Sequence, residues 1–194
     1  WVSEIMLQQT QVKTVIPYYH RFMSELPTVS DLANVSLDRL MYLWQGLGYY
    51  SRARYLHQSA QIIHQKGTFP DTFEDLTSLP GIGESTAAAI LSLAYQEPFA
   101  ILDGNVKRVF CRYFGIQSPP NQALKTLWKL AKNNMSTEDP RAYTQGLMDL
   151  GANLCSRQNP KCQYCPLRSD CYAYLHQQTD TLPQRPPKKE KQEI

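Results

Sequence analysis

No apolar run in the 194-residue chain approaches the roughly 20 residues that a bilayer-spanning helix needs. No signal-peptide pattern opens it, so a soluble protein of a reducing, cytoplasmic compartment, with no membrane partner, is expected. Charge of one sign is scarce too: twenty Lys+Arg face seventeen Asp+Glu, a net of +3. That balance is compatible with a polyanionic partner but does not identify one. Apolar–polar alternation of the half-buried strand type is almost missing, and no repeat of fixed period occurs. A sheet-based fold and a solenoid are thereby disfavoured. The four histidines (His20, His57, His64, His176) are scattered over helical stretches and receive no role. With 42% hydrophobic and 19% charged residues, most of the chain can bury a core.

What is present is written in helical periods. Ser3 is placed to cap the first helix, in SEIMLQQT, and a second runs from about Thr14 to Leu26, with Pro17 tolerated only near its first turn. Ser30 and Ser36 are placed to cap DLANV and LDRLMYLW, the latter ending at Gly46-Leu47-Gly48. A longer helix covers 49–65 and stops at Gly67 and Pro70, and Thr72 opens FEDLTSL. Helical runs over 84–95, 105–115, 123–133 and 141–153 follow, interrupted by Pro98 and the loop AILDGN. The expected fold is all-α, with a first helical domain over 1–100 and a second over 101–176. The polar, proline- and lysine-rich stretch 177–194 is expected to be a linker or tail without a core.

Four of the five cysteines, Cys155, Cys162, Cys165 and Cys171, fall in one stretch with the spacing C-x6-C-x2-C-x5-C. Disulfides do not suit a chain without a secretion signal. A four-cysteine zinc site usually shows two CxxC knuckles, and here there is one. One short and two longer gaps favour an iron–sulfur cubane over zinc, and the spacing alone leaves both open. Cys111, in VKRVFCRYF, reads as a small core residue.

LPGIGEST, at 79–86, runs straight into AAAIL, as two helices joined by a tight hairpin would. Gly81 and Gly83 permit unusual torsions and close approach of a phosphate to the main chain. A purely structural turn uses glycines equally well. Asp103, in ILDGNVKR, stands at a helix entrance where an N-cap is the commoner role. Glu4 on the first helix would by default be a solvated surface glutamate.

Taken in order, SEIMLQQTQV, WQGLGYYSRAR, LPGIGESTAAAI, ILDGNVKR, MDLGANLC and the four-cysteine run resemble the helix-hairpin-helix DNA glycosylases with an iron–sulfur cluster. Within that superfamily the similarity is to the MutY family, the adenine DNA glycosylases, and it covers about residues 1–176. The resemblance implies a six-helix barrel domain packed on a second helical domain, a 4Fe–4S cluster on the four cysteines, and double-stranded DNA carrying A:8-oxoguanine or A:G mispairs as partner. It implies a monomeric, DNA-associated enzyme of the bacterial cytoplasm acting in base excision repair.

By the same resemblance Glu4 is the general acid for a ring nitrogen of adenine, Asp103 stabilises the oxocarbenium-like sugar and its attacking water, and Asn105 fixes the geometry. The two carboxylates would converge on one extruded base. Ser85 occupies the position where the bifunctional relatives, such as endonuclease III, carry a Schiff-base lysine, so hydrolysis without strand cleavage is implied. The alternative is an endonuclease III-like pyrimidine glycosylase and lyase. Gln9, with Leu7 beside it, and Tyr49 would invade the duplex, with one of Tyr49 and Tyr50 packing as an ordinary aromatic. Gly81, Gly83, Thr86 and Lys107 would meet the phosphate backbone, and Asp149 would line the adenine pocket. Lys161, Arg157 and Arg168, on the cysteine loop, would also face phosphates. Glu84 departs from the pattern by adding a negative charge to the phosphate-binding hairpin. Trp1 has no lead-in and the chain ends where the family's 8-oxoguanine-sensing domain would start, so a longer parent protein is expected.

Overall fold

Side-chain caps open α-helices at Thr28, Ser36, Thr72, Asp103 and Asp139, and one of them moves an expected boundary. The computed structural model describes residues 1–185, and these contain helices and turns without a strand. They divide into two compact units, Trp1–Tyr95 and the part from Gln96 onward.

The first unit holds α1 (Val2–Leu7), α2 (Val12–Glu25), α3 (Val29–Asn34), α4 (Leu37–Trp44), α5 (Tyr50–Lys66), α6 (Phe73–Thr77) and α7 (Glu84–Ile90), which continues as a π turn over Leu91–Tyr95. Thr28, rather than Ser30, caps α3, because Asp31 lies three residues on and closes a reciprocal capping box with it. Ser3 likewise lies inside α1, which starts after Trp1 without a side-chain cap. Ser36 and Thr72 cap α4 and α6. Helix α2 starts two residues earlier than expected and encloses Pro17. The proline forgoes only the bond to the Lys13 carbonyl, one turn in, where Lys13 is exposed and water can take its place.

Helix α5 forms the pillar of this unit. Ala53, Leu56, Ala60 and Ile63 recur at three- and four-residue spacings and are all buried, and α5 packs on α3 and α4. Phe22 meets Trp44 edge-on at 6.2 Å, and Leu40, Leu76 and Leu91 complete the core. Helix α1 lies against α2, α5 and α7, which brings its C-terminal end to the start of α7.

The second unit holds α8 (Gly104–Tyr113), α9 (Leu124–Asn133), α10 (Pro140–Asp149), a π turn over Leu150–Leu154, a single 3-10 turn over Cys162–Tyr164 and α11 (Tyr172–Leu175). Helix α8 is its centre and packs on α9, α10 and α11 through Val106, Val109 and Phe110. The stretch from 177, expected to lack a core, is anchored in part. Leu182 is buried, and its carbonyl accepts a 2.8 Å hydrogen bond from Arg112 Nε. A single apolar residue next to an arginine donor is enough to anchor a segment that composition marks as polar. Residues 186–194 of that expected tail lie outside the described residues. No helix among the described residues is long and apolar enough to cross a membrane.

Candidate nucleic-acid interface and cysteine cluster

In the first unit three loops meet around the end of α1. The hairpin between α6 and α7 buries Leu79 and Ile82 and is braced from α5 by Ser59 Oγ, which donates to the Pro80 carbonyl at 2.9 Å. Gly81 has φ +78°, and a Cβ there would stand 2.8 Å from Cβ of Tyr55. Gly83 differs from expectation: its φ of −88° suits any residue, and open space surrounds it. Only Gly81 needs glycine for its torsion, whereas Gly83 leaves the main chain uncovered at the mouth of α7. Gln8 joins α1 to the hairpin, its Nε2 donating to the Gly81 carbonyl and to Thr86 Oγ1, both at 3.2 Å.

The other two loops, Gln8–Thr10 and Leu47–Tyr49, are joined by Arg52, which is only 6% exposed. Its Nη1 donates to the carbonyls of Ile5 (3.1 Å), Met6 (2.7 Å) and Gln8 (2.6 Å). Its Nη2 donates to Thr10 Oγ1 (3.0 Å) and to the carbonyls of Gly48 (3.2 Å) and Leu47 (3.5 Å). The guanidinium also lies 5.0 Å from the ring centre of Tyr49. Burial lowers its pKa from the ordinary arginine value, with the Tyr49 hydroxyl acting in the opposite sense.

The residues singled out in the sequence fall on these elements. Glu4 is half-buried in the first turn of α1, and Leu7 ends that helix half-buried. Gln9 is exposed with φ 58°, and Tyr49 is 55% exposed with φ 48°. Tyr50 is 42% exposed, so neither tyrosine of the pair is buried in the core. Ser85 and Thr86 are half-buried in the first turn of α7, and Glu84 is exposed beside them.

In the second unit Asp103 caps α8, its Oδ1 accepting from the Val106 N–H at 2.7 Å. The capping expectation is therefore met, and Asn105 follows in the first turn of α8. Asn105 Oδ1 accepts from Arg108 Nη2 at 2.9 Å. Gly151 lets the backbone pass close by, since a Cβ there would sit 2.9 Å from Cβ of Asn105. Lys107 is half-buried on α8, and Asp149 ends α10 exposed, accepting from Gln145 Nε2 at 3.2 Å.

Cys155, Cys162, Cys165 and Cys171 line one cavity together with Arg112 and Arg168. All four are free thiols. Arg108 donates to the Cys155 and Gly151 carbonyls, each at 2.7 Å. Arg112 donates to the Ser156 carbonyl at 2.7 Å and to Cys155 Sγ at 3.4 Å. Burial lowers the Arg108 pKa, opposed chiefly by the negative charge that Cys155 can carry. Burial raises the thiols of Cys162 and Cys165, and the neighbouring thiols push the same way. Among the described residues no three His, Cys, Asp or Glu side chains converge as they would on a single ion. Four thiols around a shared cavity are a donor set whose chemistry suits an iron–sulfur cluster.

Gln8, Arg52, Arg108 and Arg112 were not singled out from the sequence. A signal existed for one of them: Arg52 continues the buried stripe Leu56, Ser59, Ile63 of α5, where a solvated arginine does not belong.

Against known proteins, the family described as HhH-GPD superfamily base excision DNA repair protein matches residues 2–133. The adenine DNA glycosylase of Buchnera aphidicola subsp. Baizongia pistaciae is 47% identical over 178 residues, covering 91% of this chain and 51% of that protein. The adenine DNA glycosylase of Homo sapiens is 46% identical, covering 89% of this chain and 33% of that protein. The chain thus spans about half the length of the bacterial relative. The solved structure of a thermostable thymine-DNA glycosylase superposes with a TM-score of 0.79 at 28% identity, covering 90% of this chain and 82% of that one.

Proposed function

Because the chain belongs to the HhH-GPD superfamily of base excision DNA repair proteins, we propose that it is the catalytic part of a monofunctional adenine DNA glycosylase. The substrate is duplex DNA with adenine opposite 8-oxoguanine or guanine. The observation that carries the reading is the hairpin's exit onto α7. A hydroxyl, Ser85, stands there where a lyase needs an amine, in a chain 47% identical to a named adenine DNA glycosylase.

In this reading Gln9, with Leu7 beside it, and Tyr49 enter the duplex and fill the space of the extruded adenine, offsetting an unstacking cost of about a few kcal/mol. The main chain around Gly81 and Gly83, Thr86 and Lys107 hold phosphates. Glu4 delivers a proton to a ring nitrogen of adenine, so that the electron pair of the breaking C1′–N9 bond can leave on a neutral base. Asp103 faces the positive charge that develops on the sugar and accepts a proton from the water that adds to C1′. Asn105, held by Arg108, fixes that water's approach. Adenine and an abasic site are the products. Asp149 lines the adenine pocket.

Cys155, Cys162, Cys165 and Cys171 would hold the 4Fe–4S cluster. When bound it supplies structural order to the loop that offers Lys161, Arg157 and Arg168 to phosphates. The reading takes the enzyme as a monomer of the bacterial cytoplasm that acts on chromosomal DNA. The barrel and cluster roles of the two units belong to the same proposal.

Single-turnover assays on an A:8-oxoguanine duplex, followed by alkali to cut abasic sites, test the reading. Glu4→Gln is expected to lower the rate by roughly 100-fold or more. Activity equal to the parent would refute the acid assignment. Borohydride is expected to trap no protein–DNA adduct, and a trapped adduct would instead favour the lyase.

A further inference from the structure

Gln9 and Tyr49 share two properties beyond exposure. Both have left-handed backbone torsions, φ 58° and 48°, which a side chain disfavours. Strained, exposed loop tips persist only where the surroundings hold them, and the same group holds both. Arg52 takes the carbonyl of Gln8 and the hydroxyl of Thr10, one on each side of Gln9. It also takes the carbonyl of Gly48, immediately before Tyr49, and stacks against the Tyr49 ring. Two loops more than thirty residues apart in sequence are thus fastened to one planar, rigid fork. The fork is anchored below by the carbonyls of Ile5 and Met6 at the end of α1.

We propose that Arg52 is a positioning residue for base extrusion: its guanidinium holds the Gln9 and Tyr49 tips in register so that both enter the duplex together. This inference rests on the reading of those tips as the wedge. It assigns Arg52 no contact with the reacting base. A pre-strained pair needs little rearrangement when DNA arrives, so losing the brace should slow extrusion much more than it weakens phosphate binding. Lysine keeps the charge but offers a point donor in place of a fork, and it cannot span both loops.

The test uses the whole chain and a duplex in which 2-aminopurine, a fluorescent adenine analogue, replaces the target base. Its fluorescence rise on unstacking is followed by stopped flow. Arg52→Lys is expected to slow the rise roughly tenfold, while the nonspecific duplex affinity of the folded variant changes little. Combining it with Tyr49→Ala should slow the rise by less than the product of the two single effects, because part of the arginine's action runs through the tyrosine and the rest through Gln9. If Arg52→Lys does not fold, Thr10→Val, which removes one Nη2 acceptor, should give a smaller slowing in a folded protein. A rise as fast as the parent's in the folded Arg52 or Thr10 variant, with Tyr49→Ala slow, overturns this inference alone. Tyr49→Ala as fast as the parent overturns the wedge reading, and this inference with it.

Discussion

The loop cluster around α1 and the cysteine loop use one device, a buried or half-buried arginine donating to main-chain carbonyls, yet they differ in how complete it is. Arg52 engages six acceptors from three segments of the first unit, and the two strained tips are fully tied. The side chains of Arg108 and Arg112 secure the near side of the cysteine stretch, from Cys155 to Arg157. The far side, from Cys162 to Cys171, is mostly exposed and held by turn bonds such as Arg168 N–H to the Cys165 carbonyl at 3.3 Å. Single contacts add to these, from exposed Arg168 Nη1 to the Gln163 carbonyl at 3.1 Å and from Cys171 Sγ to the Arg112 carbonyl at 3.7 Å. An arginine fork can finish a loop by itself when carbonyls converge on it. A loop whose inward groups are thiols lacks such a fork, and the proposed cluster would take its place.

The largest effect that would sharpen this contrast is expected from Cys162→Ser. Loss of the brown absorbance of the proposed cluster should accompany a loss of about 4 kcal/mol of stability in the second unit. Amide exchange should rise across 162–171 while the amides near Gln9 and Tyr49 keep their protection. Equal loss in both regions, or unchanged iron content, would break the comparison.

A middle-sized effect should separate the two hairpin glycines. Gly81→Ala must adopt φ +78° against Tyr55 and should cost about 1–3 kcal/mol in urea unfolding. Gly83→Ala, with an ordinary torsion in open space, should change stability by less than about 0.5 kcal/mol. Its effect should instead be on duplex affinity, measured by fluorescence anisotropy at two salt concentrations.

The smallest effect concerns the fifth cysteine. Burial pushes the Cys111 thiol from 9.0 up to about 11, so the folded state favours the protonated form. Its contribution to stability is complete below pH 9 and is lost as pH rises toward 11. At neutral pH iodoacetamide should modify Cys111 only on unfolding, while the other four react once the cluster is stripped. Rapid labelling of Cys111 in the native protein would contradict its core placement.

Much of the helical plan was legible because caps and breakers are local. Ser36 and Thr72 cap the helices expected of them, and Asp103 takes the N-cap place that ILDGN indicated. Ser30 lost its place to Thr28 because a capping box needs a carboxylate three residues on, and Asp31 supplies it only to Thr28. Pro17 misled because a proline early in an exposed helix costs one bond that water replaces. Arg52 and Gln8 were not read because their partners are main-chain atoms, and main-chain atoms leave no trace in residue identity.

By itself the sequence determined the helical composition, the family, the serine at the hairpin's exit and the four thiols in one stretch. These depend on residue type and short-range spacing, which the chain carries wherever it folds. Only the tertiary structure decided that Gly81 rather than Gly83 needs its torsion, that Leu182 is buried, and that one guanidinium braces both strained tips. Those outcomes follow from carbonyls and side chains brought within about 3 Å of each other by packing, a distance set by the whole core and by no local pattern.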